Sequence, residues 1–137
     1  MKTYINWHDY DYYINQIVNW IEQQDLDIQA VYGIPRGGLP IAVSLSHILD
    51  VPMILDYHTQ YPPTGDLLVV DDIADTGNTL KDFRKEERNV ICTFHYHEQS
   101  TIEPDFFVDY KHDKWIVYPW ERMDSKEIQD YLKQEKV

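Results

Sequence analysis

The chain has 137 residues, and 12 Lys and Arg against 24 Asp and Glu leave a formal net charge of −12. That length is one domain, residues 1–137, with room for a real core, and the acidity argues against nucleic acid or an anionic membrane as a partner. Cys92 is the only cysteine, so no internal disulfide forms and a reducing, cytoplasmic setting is expected.

No apolar run is long enough to span a bilayer, and the aromatic, acidic start MKTYINWHDYDYY is unlike a signal peptide. Asp9 to Gln24 reads as an amphipathic helix, because Tyr10, Tyr13, Ile14, Ile17, Val18 and Ile21 recur at three- and four-residue spacing. Ile28 to Ile34 is the first expected strand and Leu39 to Leu49 the helix after it. Met53 to Asp56 is a second short strand, followed by a polar, proline-bearing loop, Tyr57 to Asp66. Leu67 to Asp71 is the third strand, Thr79 to Glu87 a helix, and Asn89 to Phe94 the fourth strand. Phe106 to Asp109 and Trp115 to Tyr118 are later strands, and Ser125 to Lys133 a closing helix. Strands alternating with helices predict an α/β fold with a parallel sheet and helices on both faces. In such sheets ligands bind beyond the carboxyl ends of the strands.

The stretch Leu67 to Leu80, LLVVDDIADTGNTL, carries the chemistry. Its four apolar residues suit a strand buried on both faces, and they end in two adjacent carboxylates, Asp71 and Asp72. A buried strand and a capped helix would explain the apolar run but not that acidic pair, which is costly without counter-charge. Asp75, Thr76, Gly77, Asn78 and Thr79 then place backbone N–H groups and hydroxyls at a helix start, a ready anion cradle. The acid pair suits sugar hydroxyls, or Mg²⁺ carried on a phosphate.

A second loop, Gly33-Ile34-Pro35-Arg36-Gly37-Gly38-Leu39-Pro40, follows the first strand. Gly37 and Gly38 allow close anion approach, and Arg36 supplies a fork of donors for phosphate oxygens. Two anion-ready loops on one sheet edge match a ligand with two separated phosphate groups. A third piece, Lys114-Trp115-Ile116-Val117-Tyr118-Pro119-Trp120-Glu121, offers a large aromatic that reads either as core or as a stacking face for a flat ligand. His95-x-His97 also suggests a metal pair, but no third ligand follows at a recognisable spacing. Asp109, His112 and Asp113 read as a solvated turn, and Lys126 to Lys136 as an exposed charged helix face.

Leu68 to Leu80 resembles, at every position, the phosphoribosyl pyrophosphate (PRPP) signature of the type I phosphoribosyltransferases. The stretch from Pro104 to Glu121 is similar to the base-binding end of the xanthine-guanine branch and its archaeal purine relatives, so the likeness runs from about Tyr32 to Glu121. It implies a three-layer fold with a mainly parallel central sheet flanked by helices and a small or reduced hood. It further implies transfer of 5-phosphoribosyl from PRPP to a nucleobase, a purine first, in a Mg²⁺-assisted cytoplasmic homodimer. In that reading Asp71 and Asp72 hold the ribose hydroxyls or Mg²⁺. Asp75 to Thr79 hold the 5′-phosphate, with Asp75 also taking or relaying the proton of the base. Arg36, Gly37 and Gly38 hold pyrophosphate, with a cis peptide expected at Pro35–Arg36. Trp115 stacks on the base, backbone near Ile116 reads its edge, and Glu121 reaches the metal or pyrophosphate.

Two departures stand out. The purine branch carries a lysine after the fourth strand that donates to a 6-oxo group, whereas Phe94-His95-Tyr96-His97-Glu98 has none, leaving His95, Tyr96 or His97 as the expected donor. The loop that covers the reacting centre is short here, with Tyr57, His58 or Tyr61 as its candidates for closure. Both departures suit a second reading, a non-catalytic PRPP or nucleotide sensor.

Overall fold

Leu67, Leu68, Val69 and Val70 are completely buried, and alternation sends them to opposite sides of one sheet. Leu68 and Val70 join a cluster with Val31, Cys92 and Phe94, while Leu67 and Val69 join Ala30, Ile91 and Leu80 on the other side. The computed structural model describes residues 2–122; the expected closing helix Ser125 to Lys133 and the charged run Lys126 to Lys136 lie outside them. In chain order the elements are β1 (Lys2–Tyr4), α1 (Trp7–Gln23), β2 (Ile28–Gly33), α2 (Gly38–Leu49), β3 (Met53–Ile54) and β4 (Asp66–Ala74). Then follow α3 (Lys81–Arg84), β5 (Asn89–Tyr96), β6 (Phe106–Tyr110) and β7 (Trp115–Val117).

Five strands pair in the order β3-β2-β4-β5-β6, every pairing parallel. The doubly buried β4 is central, as its unbroken apolar run requires. A capping box starts α1: Asp9 N–H donates to Asn6 Oδ1 at 2.8 Å and Asn6 N–H to Asp9 Oδ2 at 3.1 Å. The helix therefore begins at Trp7, two residues before the expected start at Asp9. It buries Tyr10, Tyr13, Ile14, Ile17, Val18 and Ile21, all six of the stripe residues. Both α1 and α2 lie on the Leu68 and Val70 face.

The opposite face is covered differently from expectation. The helix expected over Thr79 to Glu87 is a single turn, α3, because only Phe83 follows Leu80 as an apolar anchor before a charged run. The rest of that face is covered by the loop after β3, whose Tyr57 and Tyr61 pack on the second cluster. Tyr61 OH donates to Asn89 Oδ1 at 2.7 Å, and Asn89 Nδ2 donates to Tyr57 OH at 2.8 Å. Asn89 opens β5, at the sheet edge away from the strands' carboxyl ends. Tyr57 and Tyr61 are thus pinned to the sheet and do not form the lid that the sequence suggested.

A short separate sheet, missed because three-residue edge strands carry no periodicity, pairs β1 with β7 in parallel. It brings Trp115 and Ile116 to the end of the main sheet where β4 stops.

Candidate active site

Strand β4 runs three residues beyond Asp71, through Asp72 and Ile73 to Ala74, so the acidic pair is held by sheet hydrogen bonding. Asp71 is buried, and its Oδ1 accepts from Asp72 N–H at 2.8 Å. Asp72 lies against the loop after β2: a Cβ at Gly37 would collide with its carboxylate. A side chain at this position would push the Asp72 carboxylate aside. That loop is fixed on β4 by Ile34 N–H donating to Val70 O at 2.9 Å, and Gly38 N–H closes it on Ile34 O at 2.8 Å. The Pro35–Arg36 peptide is cis, as the resemblance implies, and Arg36 is exposed beside it.

The segment after β4 turns at Gly77, whose φ of 91° suits glycine. Thr101 N–H donates to Thr76 O at 3.1 Å, and a side chain at Gly77 would meet the Thr101 backbone. Asn78 N–H donates to Thr76 Oγ1 at 3.2 Å. The turn is therefore braced by the connection between β5 and β6, which the sequence did not reveal.

Asp75 is 4% exposed. Its Oδ1 faces His97 Nδ1 at 3.0 Å, Lys111 Nζ at 3.2 Å and Gln99 Nε2 at 3.4 Å. Among the described residues these three hydrogen bonds all fall on Oδ1, so the carboxylate is compensated on one oxygen and its Oδ2 retains acceptor capacity. Asp72, Asp75, Lys111, Trp115, Ile116 and Glu121 line one small, open cleft. Glu121 Oε1 accepts from Tyr118 N–H at 2.8 Å.

Behind the cleft, burial lowers the His95 pKa to about 4, so the ring is neutral with one N–H. Tyr118 OH donates to Asp72 O at 3.1 Å, and His95 Nδ1 lies 2.8 Å from the same hydroxyl. The other ring nitrogen, Nε2, lies 3.4 Å from Tyr13 OH, so the neutral imidazole sits between two tyrosine hydroxyls. Burial first, then the Asp72 and Asp71 carboxylates, raise the Tyr118 pKa well above normal. The tyrosine remains a phenol, and a His95-Tyr118 chain holds the Asp72 backbone.

No family profile matches the chain. Xanthine-guanine phosphoribosyltransferase of Idiomarina loihiensis is 41% identical over 56 residues, 39% of this chain but only 35% of that relative's length. The same enzyme of Cereibacter sphaeroides is 29% identical over 115 residues, 68% of this chain and 69% of the relative. The crystal structure of purine phosphoribosyltransferase from Pyrococcus horikoshii superposes with a TM-score of 0.74 at 28% identity, over 93% of this chain and 99% of that one. The fold is that of the type I phosphoribosyltransferases, and the sequence is similar to their purine branch.

Within this fold the three stretches singled out in the sequence converge: Arg36 to Gly38 touches Asp72, and Asp72 and Asp75 share the cleft with Trp115 and Ile116. The histidines do not act as expected. His95 is buried on Tyr118 and Tyr13, Tyr96 packs on Phe107 and Tyr110, and His97 is held on Asp75. None of them lines the cleft, and among the described residues no three metal-binding side chains gather around His95 and His97. The residue that does line it is Lys111, 3% exposed, from the turn read as solvated. Its neighbours Asp109, His112 and Asp113 are indeed exposed. A lone lysine among polar turn residues carries no periodic signal of burial.

Proposed function

We propose that the chain transfers the 5-phosphoribosyl group of PRPP to a purine base and releases pyrophosphate. The observation that carries this reading is the contact of the Arg36 to Gly38 loop with Asp72 on one side and the Asp75–Trp115 cleft on the other. A ligand lying across Asp71 and Asp72 would reach a phosphate cradle, a cationic loop and a flat-ring cleft at once.

Asp75 to Thr79 bind the 5′-phosphate, and Arg36, Gly37 and Gly38 bind pyrophosphate. Asp71 and Asp72 hold the ribose hydroxyls and carry negative charge towards the sugar as it becomes cationic. Trp115 stacks on the base, and backbone at Ile116 reads its edge. The bond from ribose C1 to pyrophosphate oxygen breaks and a bond from C1 to a ring nitrogen forms. The proton displaced from the base goes to Asp75, whose Oδ2 retains acceptor capacity. Much of the rate comes from holding two substrates in line.

The donor set fits Mg²⁺ arriving with its phosphates: two adjacent carboxylates, Asp71 and Asp72, are what such a hydrated ion takes from protein, and Glu121 lines the same cleft. Bound there, it would neutralise pyrophosphate charge as the bond breaks. A cytoplasmic homodimer completes the proposal, compatible with the finding that no helix among the described residues is long and apolar enough to cross a membrane. The sensor reading loses one of its two supports, because Lys111 places a cationic donor in the cleft.

Replacing Asp71 and Asp72 together by Asn keeps shape and removes both charges. Turnover should fall by at least about a thousandfold while the thermal unfolding midpoint stays within a few degrees. Activity near that of the parent chain would reject the assignment of the acid pair.

A further inference from the structure

We infer that His97 is a positioning residue for Asp75: its Nδ1–H fixes the carboxylate so that the second oxygen meets the proton leaving the base. This rests on the phosphoribosyl-transfer reading above and adds to it a residue that touches no substrate. Ala74 pairs with Tyr96, and Tyr96 with Tyr110, so the next residues, Asp75, His97 and Lys111, stand side by side where β4, β5 and β6 end. Backbone bonding runs one step past that row. His97 N–H donates to Ala74 O and Lys111 N–H to Tyr96 O, each at 2.9 Å. Ser100 N–H closes a turn on His97 O, also at 2.9 Å. His97 is therefore tied to the strand end that carries Asp75 before its ring makes any contact.

The ring then meets Asp75 Oδ1 through Nδ1 at 3.0 Å, with 14% of the side chain exposed. An ionised carboxylate has no proton to give, so the hydrogen of this contact sits on Nδ1. The same oxygen takes Lys111 Nζ at 3.2 Å and Gln99 Nε2 at 3.4 Å. A lysine ammonium ends a flexible four-carbon stem, whereas an imidazole is a rigid ring with only the rotamers of its own Cβ to choose from. Lys111 thus supplies charge, and His97 the shortest and stiffest of the three contacts. Asp75 lines the cleft and His97 does not, so His97 reaches the reaction only through that carboxylate. A proton acceptor must lie within hydrogen-bond reach of the proton it takes, and a displacement of about 1 Å costs about a hundredfold in rate.

The test is steady-state pyrophosphate release from PRPP and Mg²⁺ with guanine, hypoxanthine or adenine, for the parent chain, His97→Phe, His97→Asn and His97→Gln. His97→Phe should lower kcat about ten- to a hundredfold while the KM for PRPP stays within about threefold. Asn carries its amide nitrogen on Cγ, as Nδ1 is carried, and should keep kcat within about fivefold of the parent chain. Gln carries it one atom further out and should behave like Phe. In an Asp75→Asn background, His97→Phe should change the residual kcat less than about twofold, because the carboxylate it acts through is already gone. Should His97→Phe fail to fold, the contrast between Asn and Gln decides the same question. Parent-like kcat in His97→Phe, no difference between the Asn and Gln variants, or a full further loss in the Asp75→Asn background overturns the inference and leaves the enzyme reading in place. A folded parent chain that releases no pyrophosphate with any base overturns both.

Discussion

Asp72 owes its position to two residues that never touch the cleft with a charge. His95 Nδ1 pairs with the Tyr118 hydroxyl at 2.8 Å, and that hydroxyl lies 3.1 Å from the Asp72 carbonyl oxygen. Burial lowers the His95 pKa to about 4 against an ordinary 6.5. Between those values the unfolded chain binds a proton that the folded chain refuses, so stability is lost as pH falls from about 6.5 towards 4. The contribution is at most about 3 kcal/mol. His95→Gln should flatten this part of the stability profile, read as the denaturant midpoint at pH 7 and pH 4.5; an unchanged slope would mean that His95 is not buried neutral. At this scale the placement of Asp71 and Asp72 at the sheet's carboxyl edge was legible because charge at the end of a core strand breaks a local rule, whereas Trp115 read equally as core until the fold set it beside them. Lys111 and Tyr118 broke none. Their roles come from what faces them across the fold, which no local pattern encodes.

Among the elements, the loop after β3 holds its place through Asn89, which is 4% exposed. Besides its bonds to Tyr57 and Tyr61, Asn89 Nδ2 donates to Phe83 O at 3.0 Å, so one amide ties loop, α3 and β5 together. Arg88 adds Nη2 to Pro62 O at 2.6 Å and Nε to Gly65 O at 2.7 Å. Asn89→Ala leaves several polar groups without partners and should cost about 2–3 kcal/mol of stability with the KM for PRPP unchanged. A raised KM at normal stability would show that this loop reaches the substrate after all. The helices α1 and α2 and the central strand were legible from periodicity and apolar runs. The single turn of α3 and the three-residue β1 were not, since each depends on packing against a distant partner.

For the molecule as a whole, alternating strands and helices implied a parallel sheet, and β4 had to be central because it is apolar on both faces. The order of the outer strands and the separate β1–β7 pair follow from tertiary packing alone. That pair matters most for function, because it carries Trp115 across to the acidic end of β4. With a net charge of −12, the proposed reading leaves Arg36 and the loop N–H groups to receive an anionic ligand, which would concentrate recognition at one sheet edge. The account stands or falls on the use of that edge by PRPP and a base together. The most direct measurement is pyrophosphate release from PRPP and Mg²⁺, with guanine, hypoxanthine, xanthine, adenine and uracil supplied one at a time. Release that depends on a 6-oxopurine and is weak with adenine and uracil is the predicted result; no release with any base, from protein that is folded, would contradict it.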